Sequence, residues 1–259
     1  MIDTAVILAG GFGTRLSEET GLRPKPLVEI GGAPILWHIM KIYYHQGVKN
    51  FVICLGYKGY LIKEFFANYL LHRSDVTFDF SGDTIHYHNR RAEDWKVTLV
   101  DTGDSTMTGG RLKRVQPLLQ NEHFHMTYGD GLANIDLERL IQHHAGANRK
   151  ATVTSVRPPG RFGALDLDDE GSVKGFVEKP SGDGGYINGG FFILSPETLN
   201  EIDGDMTVWE GKPLETLAKS GQLAAYRHDG FWQPMDTLRD KNYLEDLWQS
   251  GQAPWKTWR

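Results

Sequence analysis

Apolar residues along this chain fall into two alternating kinds of run. Short continuous runs such as Thr4-Ala5-Val6-Ile7-Leu8 leave no polar face, as expected of a strand buried on both sides. Between such runs, apolar positions recur at helical spacing. Ile35, Leu36, Ile39, Met40 and Tyr43 follow Pro34, a residue suited to a first helical turn. Phe51-Val52-Ile53-Cys54-Leu55 is the next strand, and Ile62, Phe65, Phe66, Tyr69 and Leu70 mark the next helical stripe. Residues 97–100 and 125–128 read as further strands, Leu137, Leu140 and Ile141 as a helix, and residues 151–156 as a strand after it. This order predicts an α/β fold of Rossmann-like type, a mostly parallel or mixed sheet flanked by helices on both faces.

Two stretches break the rhythm and predict β-hairpin insertions. Residues 76–80 and 84–88 alternate around Ser81-Gly82-Asp83, and residues 164–177 turn at Asp168-Asp169-Glu170-Gly171. The chain returns to helix over residues 236–248, with Leu238, Leu244, Leu247 and Trp248 as its apolar face. No repeat, low-complexity tract or linker interrupts it, so residues 1–259 read as a single domain.

Composition narrows the function classes. With 259 residues, 40% hydrophobic and 24% charged, the chain can bury a full core. A formal net charge of -5 gives no general attraction for nucleic acid or anionic membrane, so an anionic ligand needs a local basic pocket. No apolar run approaches the ~20 residues of a membrane span. The start, Met1-Ile2-Asp3, reads as the lead into the first strand rather than a secretory signal, and a cytoplasmic protein is expected. The single Cys54 excludes an internal disulfide and sits in an apolar run, as a buried core thiol would.

The strongest local signal is Leu8-Ala9-Gly10-Gly11-Phe12-Gly13-Thr14-Arg15-Leu16, directly after the first strand. Three glycines let backbone approach an anion and aim N–H groups at it. A tight turn alone would also account for them. A dinucleotide fingerprint would need glycine where Leu16 stands, and a P-loop would need Gly-Lys-Ser/Thr, which is absent. Instead Lys25 follows, set in Pro24-Lys25-Pro26, where proline on both sides predicts a stiff, extended segment. The glycines, Arg15 and Lys25 together make a phosphate-binding constellation. Other clusters carry less. His86-x-His88 and His123-x-His125 place two rings on one strand face, but no third ligand supports zinc. Trp232, Trp248, Trp255 and Trp258 read as core and subunit packing.

These residues carry a resemblance. The glycine loop followed by Pro24-Lys25-Pro26 is similar to the signature of the sugar-phosphate nucleotidyltransferases, and the likeness spans the chain. Tyr128-Gly129-Asp130-Gly131 resembles the family's metal aspartate, Phe176-Val177-Glu178-Lys179-Pro180 its sugar-binding segment, and Ile187-Asn188-Gly189-Gly190-Phe191-Phe192 the strand after it. Trp232-Gln233-Pro234-Met235-Asp236-Thr237 resembles the second metal aspartate. Asp101-Thr102-Gly103-Asp104-Ser105-Thr106-Met107-Thr108-Gly109-Gly110-Arg111 is similar to the same loop in members that transfer a cytidylyl group, as is Ala253-Pro254-Trp255-Lys256-Thr257-Trp258.

The resemblance implies attack by a hexose 1-phosphate on a nucleoside triphosphate with release of pyrophosphate, here CTP and glucose 1-phosphate giving CDP-glucose. It implies a nucleotide-binding part over about residues 1–155 and a sugar-phosphate-binding part over about 156–259. Arg15 and Lys25 would be catalytic. Leu8, Ala9, Gly10, Gly11, Gly13, Thr14, Thr106, Arg111, Gly129 and Asp130 would join them around the nucleotide. Gly163, Glu178, Lys179, Asn188 and Gly189 would bind the sugar phosphate, and Asp130 and Asp236 would hold Mg²⁺. It further implies a homo-oligomer, a hexamer, in lipopolysaccharide O-antigen biosynthesis, without nucleic-acid or membrane partners. Plainer readings stand beside several of these. Asp130 could form a strand-end turn, Asp236 an N-cap, Glu178 and Lys179 an exposed pair, and Arg111 a solvated face of a helix over residues 112–119. Uridylyl or thymidylyl transfer, or a regulatory subunit that only binds a nucleotide sugar, are the alternative functions.

Overall fold

The computed structural model describes residues 2–119, 122–158, 164–167, 173–177 and 185–258. Its central layer is a seven-stranded sheet of β1 (Thr4–Leu8), β2 (Asn50–Leu55), β3 (Lys96–Asp101), β4 (Phe124–Tyr128), β5 (Ala151–Val156), β6 (Ile187–Leu194) and β7 (Leu223–His228). The order is β7-β5-β6-β4-β1-β2-β3, and every neighbouring pair is parallel except the two made by β6.

The continuous apolar run of β1 is explained by two cores. Ala5 and Ile7 face one, Val6 and Leu8 the other. The first is closed by α1 (Ile35–Tyr44), α2 (Gly59–Ala67), α4 (Leu137–Ala147) and α6 (Leu238–Gln249), through residues such as Ile39, Ile62, Leu140 and Leu244. The second is closed by α3 (Thr108–Val115) and α5 (Lys212–Lys219), through Leu112, Val115 and Leu217. Cys54 is fully buried there, and burial pushes its thiol up to about 12. Trp255, Trp258 and Trp248 pack around the buried His38 in the first core, as packing residues. No helix among the described residues is long and apolar enough to cross a membrane.

The strands of both hairpins pair, Asp75–Asp79 with Thr84–His88 and Ala164–Leu167 with Val173–Val177, while the turn at Asp168-Asp169-Glu170-Gly171 lies outside the described residues. Three helical boundaries differ from expectation, each for a physical reason. The stripe over 62–70 breaks at Asn68, whose backbone leaves the helical region at φ -98° and ψ 2° and whose side-chain amide shares Glu64 O with its own N–H. The helix expected to follow Arg111 begins earlier, at Thr108. Its first N–H groups find acceptors in another loop, as Met107 donates to Asp205 O and Gly109 and Gly110 to Thr207 O. That loop lies so close that a Cβ at Gly110 would stand 2.4 Å from Asp205 O. The last helix starts at Leu238 and not at Asp236, because Thr237 is its N-cap and forms a capping box with Asp240. Leu238 is 40% exposed and leaves the apolar face to Leu244, Leu247 and Trp248. At ~3.6 residues per turn, a residue six before Leu244 points elsewhere.

Strand order decides where a ligand can bind. From β1 the chain grows outward to β2 and β3, then returns to the other side of β1 as β4. The carboxyl ends of β1 and β4 therefore flank a topological switch point, the usual crevice of an open α/β sheet. The loops leaving the two strands are tied there, with Gly129 N–H donating to Leu8 O at 2.9 Å.

Candidate active site

A cavity of about 630 Å³ opens at this switch point. The glycine loop forms one side of it. Gly13 has φ +65°, which favours glycine, and a Cβ on Gly10 would stand 2.2 Å from the Arg111 guanidinium. Gly11 is different, because a Cβ there would meet nothing, so its bare backbone leaves room for a ligand. The N–H groups of Gly10, Gly11, Phe12 and Gly13 donate to no oxygen among the described residues. Such a run of unused donors suits an anion.

Lys25 enters from the Pro24-Lys25-Pro26 segment. Pro24 is extended as expected, but Lys25–Leu27 forms a 3-10 turn and not an extended stretch. Leu27 N–H donates to Pro24 O at 2.8 Å and Val28 N–H to Lys25 O at 3.0 Å, so the segment is stiff for a second reason. Lys25 Nζ donates to Asp130 Oδ2 at 2.7 Å and to Asp236 Oδ1 at 2.9 Å. Asp130 follows β4, whereas Asp236 follows the short strand Trp232–Pro234. That strand pairs with Gly131–Ala133, and Met235 N–H donates to Asp130 O, which brings the two carboxylates together. Burial pulls the Lys25 ammonium down, but Asp130 and Asp236 outweigh it and hold the group above the ordinary lysine value.

Among the described residues lining the cavity stand four carboxylates, Asp104, Asp130, Glu210 and Asp236, and two cations, Lys25 and Arg111. Asp130 and Asp236 converge on one cation already, a hard-oxygen pair of the kind Mg²⁺ takes together with waters and substrate oxygens. The described residues hold no group of three or more His, Cys, Asp or Glu that could bind a metal, so ligand oxygens or water would complete such a site.

Arg111 is 4% exposed and is not a solvated helix face. Its Nη1 donates to Leu55 O and Thr102 Oγ1 at 2.9 and 2.8 Å. Its Nη2 donates to Gly10 O and Asp104 O at 3.0 and 3.2 Å. The guanidinium thus joins the glycine loop, β2 and the loop over residues 102–107, and shapes the cavity through their backbones. Across the cavity floor, Asn188 Nδ2 donates to the Tyr128 hydroxyl at 3.3 Å, and Tyr128 donates to Glu210. Glu210 also accepts from Thr108 Oγ1 at 2.6 Å. Burial, then Glu210, raises the Tyr128 phenol well above its ordinary value. Trp232 is not only packing, since it lines the cavity and its Nε1 donates to Gly189 O at 2.7 Å.

Of the residues singled out in the sequence, Leu8, Ala9, Gly10, Gly11, Gly13, Thr14, Lys25, Thr106, Arg111, Gly129, Asp130, Asn188, Gly189 and Asp236 all line this cavity. The Arg15 side chain, Gly163, Glu178 and Lys179 lie outside the described residues. Glu210 escaped sequence reasoning because it sits in no motif and reaches the cavity from the loop before α5.

Comparison with known proteins agrees with the geometry. Residues 4–233 match the family described as nucleotidyl transferase. Glucose-1-phosphate cytidylyltransferase of Salmonella typhi is 62% identical over 255 residues, covering 98% of this chain and 99% of that one. The probable glucose-1-phosphate cytidylyltransferase of Bacillus subtilis is 47% identical over the same shares. The crystal structure of HddC from Yersinia pseudotuberculosis superposes with a TM-score of 0.70 at 25% identity, over 95% of this chain and 100% of that one.

Proposed function

The chain belongs to the nucleotidyl transferase family, and from that premise we propose that it transfers a cytidylyl group from CTP to α-D-glucose 1-phosphate, giving CDP-glucose and pyrophosphate. The observation that carries this choice of substrates is the 62% identity, over nearly the whole chain, with a cytidylyltransferase acting on glucose 1-phosphate. The cavity at the switch point supports it, with unused loop amides on one side and polar residues of β4 and β6 on the other.

In this reaction an oxygen of the sugar phosphate bonds to the α-phosphorus of CTP while the bond from that phosphorus to the departing pyrophosphate breaks. The attacking phosphate is largely ionised near neutrality, its second pKa being ~6, so no general base is needed. What remains is positioning and neutralisation of charge. The loop amides of Gly10 to Gly13, with Arg15, hold the triphosphate. Lys25 balances charge near the α-phosphorus. Asn188 and Gly189, with Gly163 and Glu178, form the sugar side, and Lys179 pairs with the sugar phosphate. Mg²⁺ on Asp130 and Asp236, when bound, supplies the charge that lets two polyanions meet. The same reading makes the enzyme cytoplasmic and homo-oligomeric. The exposed Phe78, Phe80 and Ile85 of the first hairpin support a subunit contact.

The test is pyrophosphate release from CTP, UTP, dTTP, ATP and GTP, each with glucose 1-phosphate, and identification of the sugar nucleotide by mass. CDP-glucose is the expected product. Preferred turnover of UTP or dTTP would reassign the base while leaving the transferase in place.

A further inference from the structure

The feature that the reaction itself does not require is the contact between Lys25 and both aspartates. A lysine needed only for phosphate could wait in the cavity. Here its ammonium instead takes an oxygen from each carboxylate, at 2.7 and 2.9 Å. We propose that Lys25 is the resident cation of the Asp130–Asp236 site before substrate arrives, and that a divalent metal takes its place only by exchange, once nucleotide phosphates give the ammonium another partner. The proposal rests on the reading that these two aspartates hold the metal.

The exchange follows from charge and geometry. A metal that took these carboxylate oxygens would sit ~2.0–2.1 Å from each. The ammonium is bound to the same two oxygens, so both cations cannot hold the pair without close like-charge contact. The ammonium can leave without the loop moving. Its Cα is set in the 3-10 turn of Lys25–Leu27, so the swing belongs to the flexible stem of the side chain. Beside it lies the glycine loop with its unused N–H groups, where the phosphates of a nucleotide would collect. Phosphate oxygens accept from an ammonium as well as carboxylates do. Nucleotide would thus free the aspartates and bring the metal's remaining ligands in one step. Without nucleotide, the ammonium already offsets one of the two carboxylate charges, and a metal must displace it to bind both.

The experiment measures metal binding and needs no turnover. Mn²⁺ is titrated into nucleotide-free protein and followed by electron paramagnetic resonance. Lys25→Met keeps the stem and removes the charge, and is expected to bind Mn²⁺ at least about tenfold more tightly than the natural protein. A competent state populated below a tenth without the substitution gives that factor. Adding Asp130→Asn to Lys25→Met should abolish the gain. Equal or weaker binding by Lys25→Met overturns the exchange. A site that takes no Mn²⁺ in either protein, even with CTP present, overturns it by removing the two-aspartate metal reading itself. Should the variant fail to fold, crystals of the natural protein soaked in Mn²⁺ together with CTP decide the matter by anomalous scattering. Nζ is expected to leave at least one carboxylate when the metal is bound. Mn²⁺ on both aspartates with Lys25 still bonded to each overturns the proposal.

Discussion

Lys25 and Arg111 are both buried cations lining one cavity, 8% and 4% exposed, yet they are held by opposite kinds of partner. Lys25 is bound to two carboxylates. Arg111 spends four N–H donors on neutral oxygens, three of them main-chain carbonyls from separate parts of the chain. The difference separates two uses of a buried positive charge. A planar guanidinium shared among fixed carbonyls is a tie, because moving it breaks four hydrogen bonds to separate parts of the chain at once. A point charge between carboxylates is replaceable, since those oxygens serve another cation equally well. Arg111 therefore belongs to the shape of the site and Lys25 to its chemistry.

The largest effect expected is on stability at Arg111. Arg111→Ala removes the four hydrogen bonds to Leu55, Thr102, Gly10 and Asp104 and opens a void beside Gly10, so denaturant unfolding should show a loss of about 4 kcal/mol. A loss below about 1 kcal/mol would erase the distinction drawn between the two cations. Lys25→Ala should instead lower kcat/KM by ~10²-fold or more, a cost of about 3 kcal/mol in the transition state. Unchanged kcat/KM would remove Lys25 from the chemistry. Asp130→Asn and Asp236→Asn should each slow turnover by roughly tenfold or more and raise the Mg²⁺ needed for half-maximal rate. If only one responds, the other is a structural carboxylate. Base choice comes next. CTP should exceed UTP by at least about tenfold in kcat/KM, because acceptors placed for the cytosine amino group face a carbonyl in uracil.

The smallest effect concerns a third kind of buried titratable group, histidine kept neutral. His38 and His125 are fully buried, and burial lowers them to about 4 and about 3. Neither nitrogen of His125 has a partner among the described residues. A folded value below the unfolded ~6.5 means that the stabilisation is present above pH 6.5 and lost as pH falls towards the folded values. Unfolding free energy should therefore drop by about 1 kcal/mol per histidine between pH 7.5 and 5.5. A flat profile over that window would show that these rings are not held neutral by the fold.

Much of this molecule was legible in its residue pattern. The run over β1, the glycines after it, the helical stripe of α1 and the alternation of the first hairpin are local signals, and each element formed where its pattern lay. Lys25 and Asp130 were legible as well, because stiff or glycine-flanked segments at strand ends present side chains whatever surrounds them. Other features depended on partners far along the chain. The start of α3 was hidden because glycines there reflect the close approach of residues 205–207. Arg111 was open to reading as a solvated helix face until its guanidinium met carbonyls at Gly10 and Leu55. Asp236 was open to reading as a helix cap until Thr237 took that place, leaving its carboxylate for Lys25. Glu210 carried no signal at all. Local pattern determined which segments became strands and helices, since that choice follows from the spacing of apolar side chains. The return of the chain from β3 to β4 beside β1, which no short window encodes, decided which strand ends and which charges would meet.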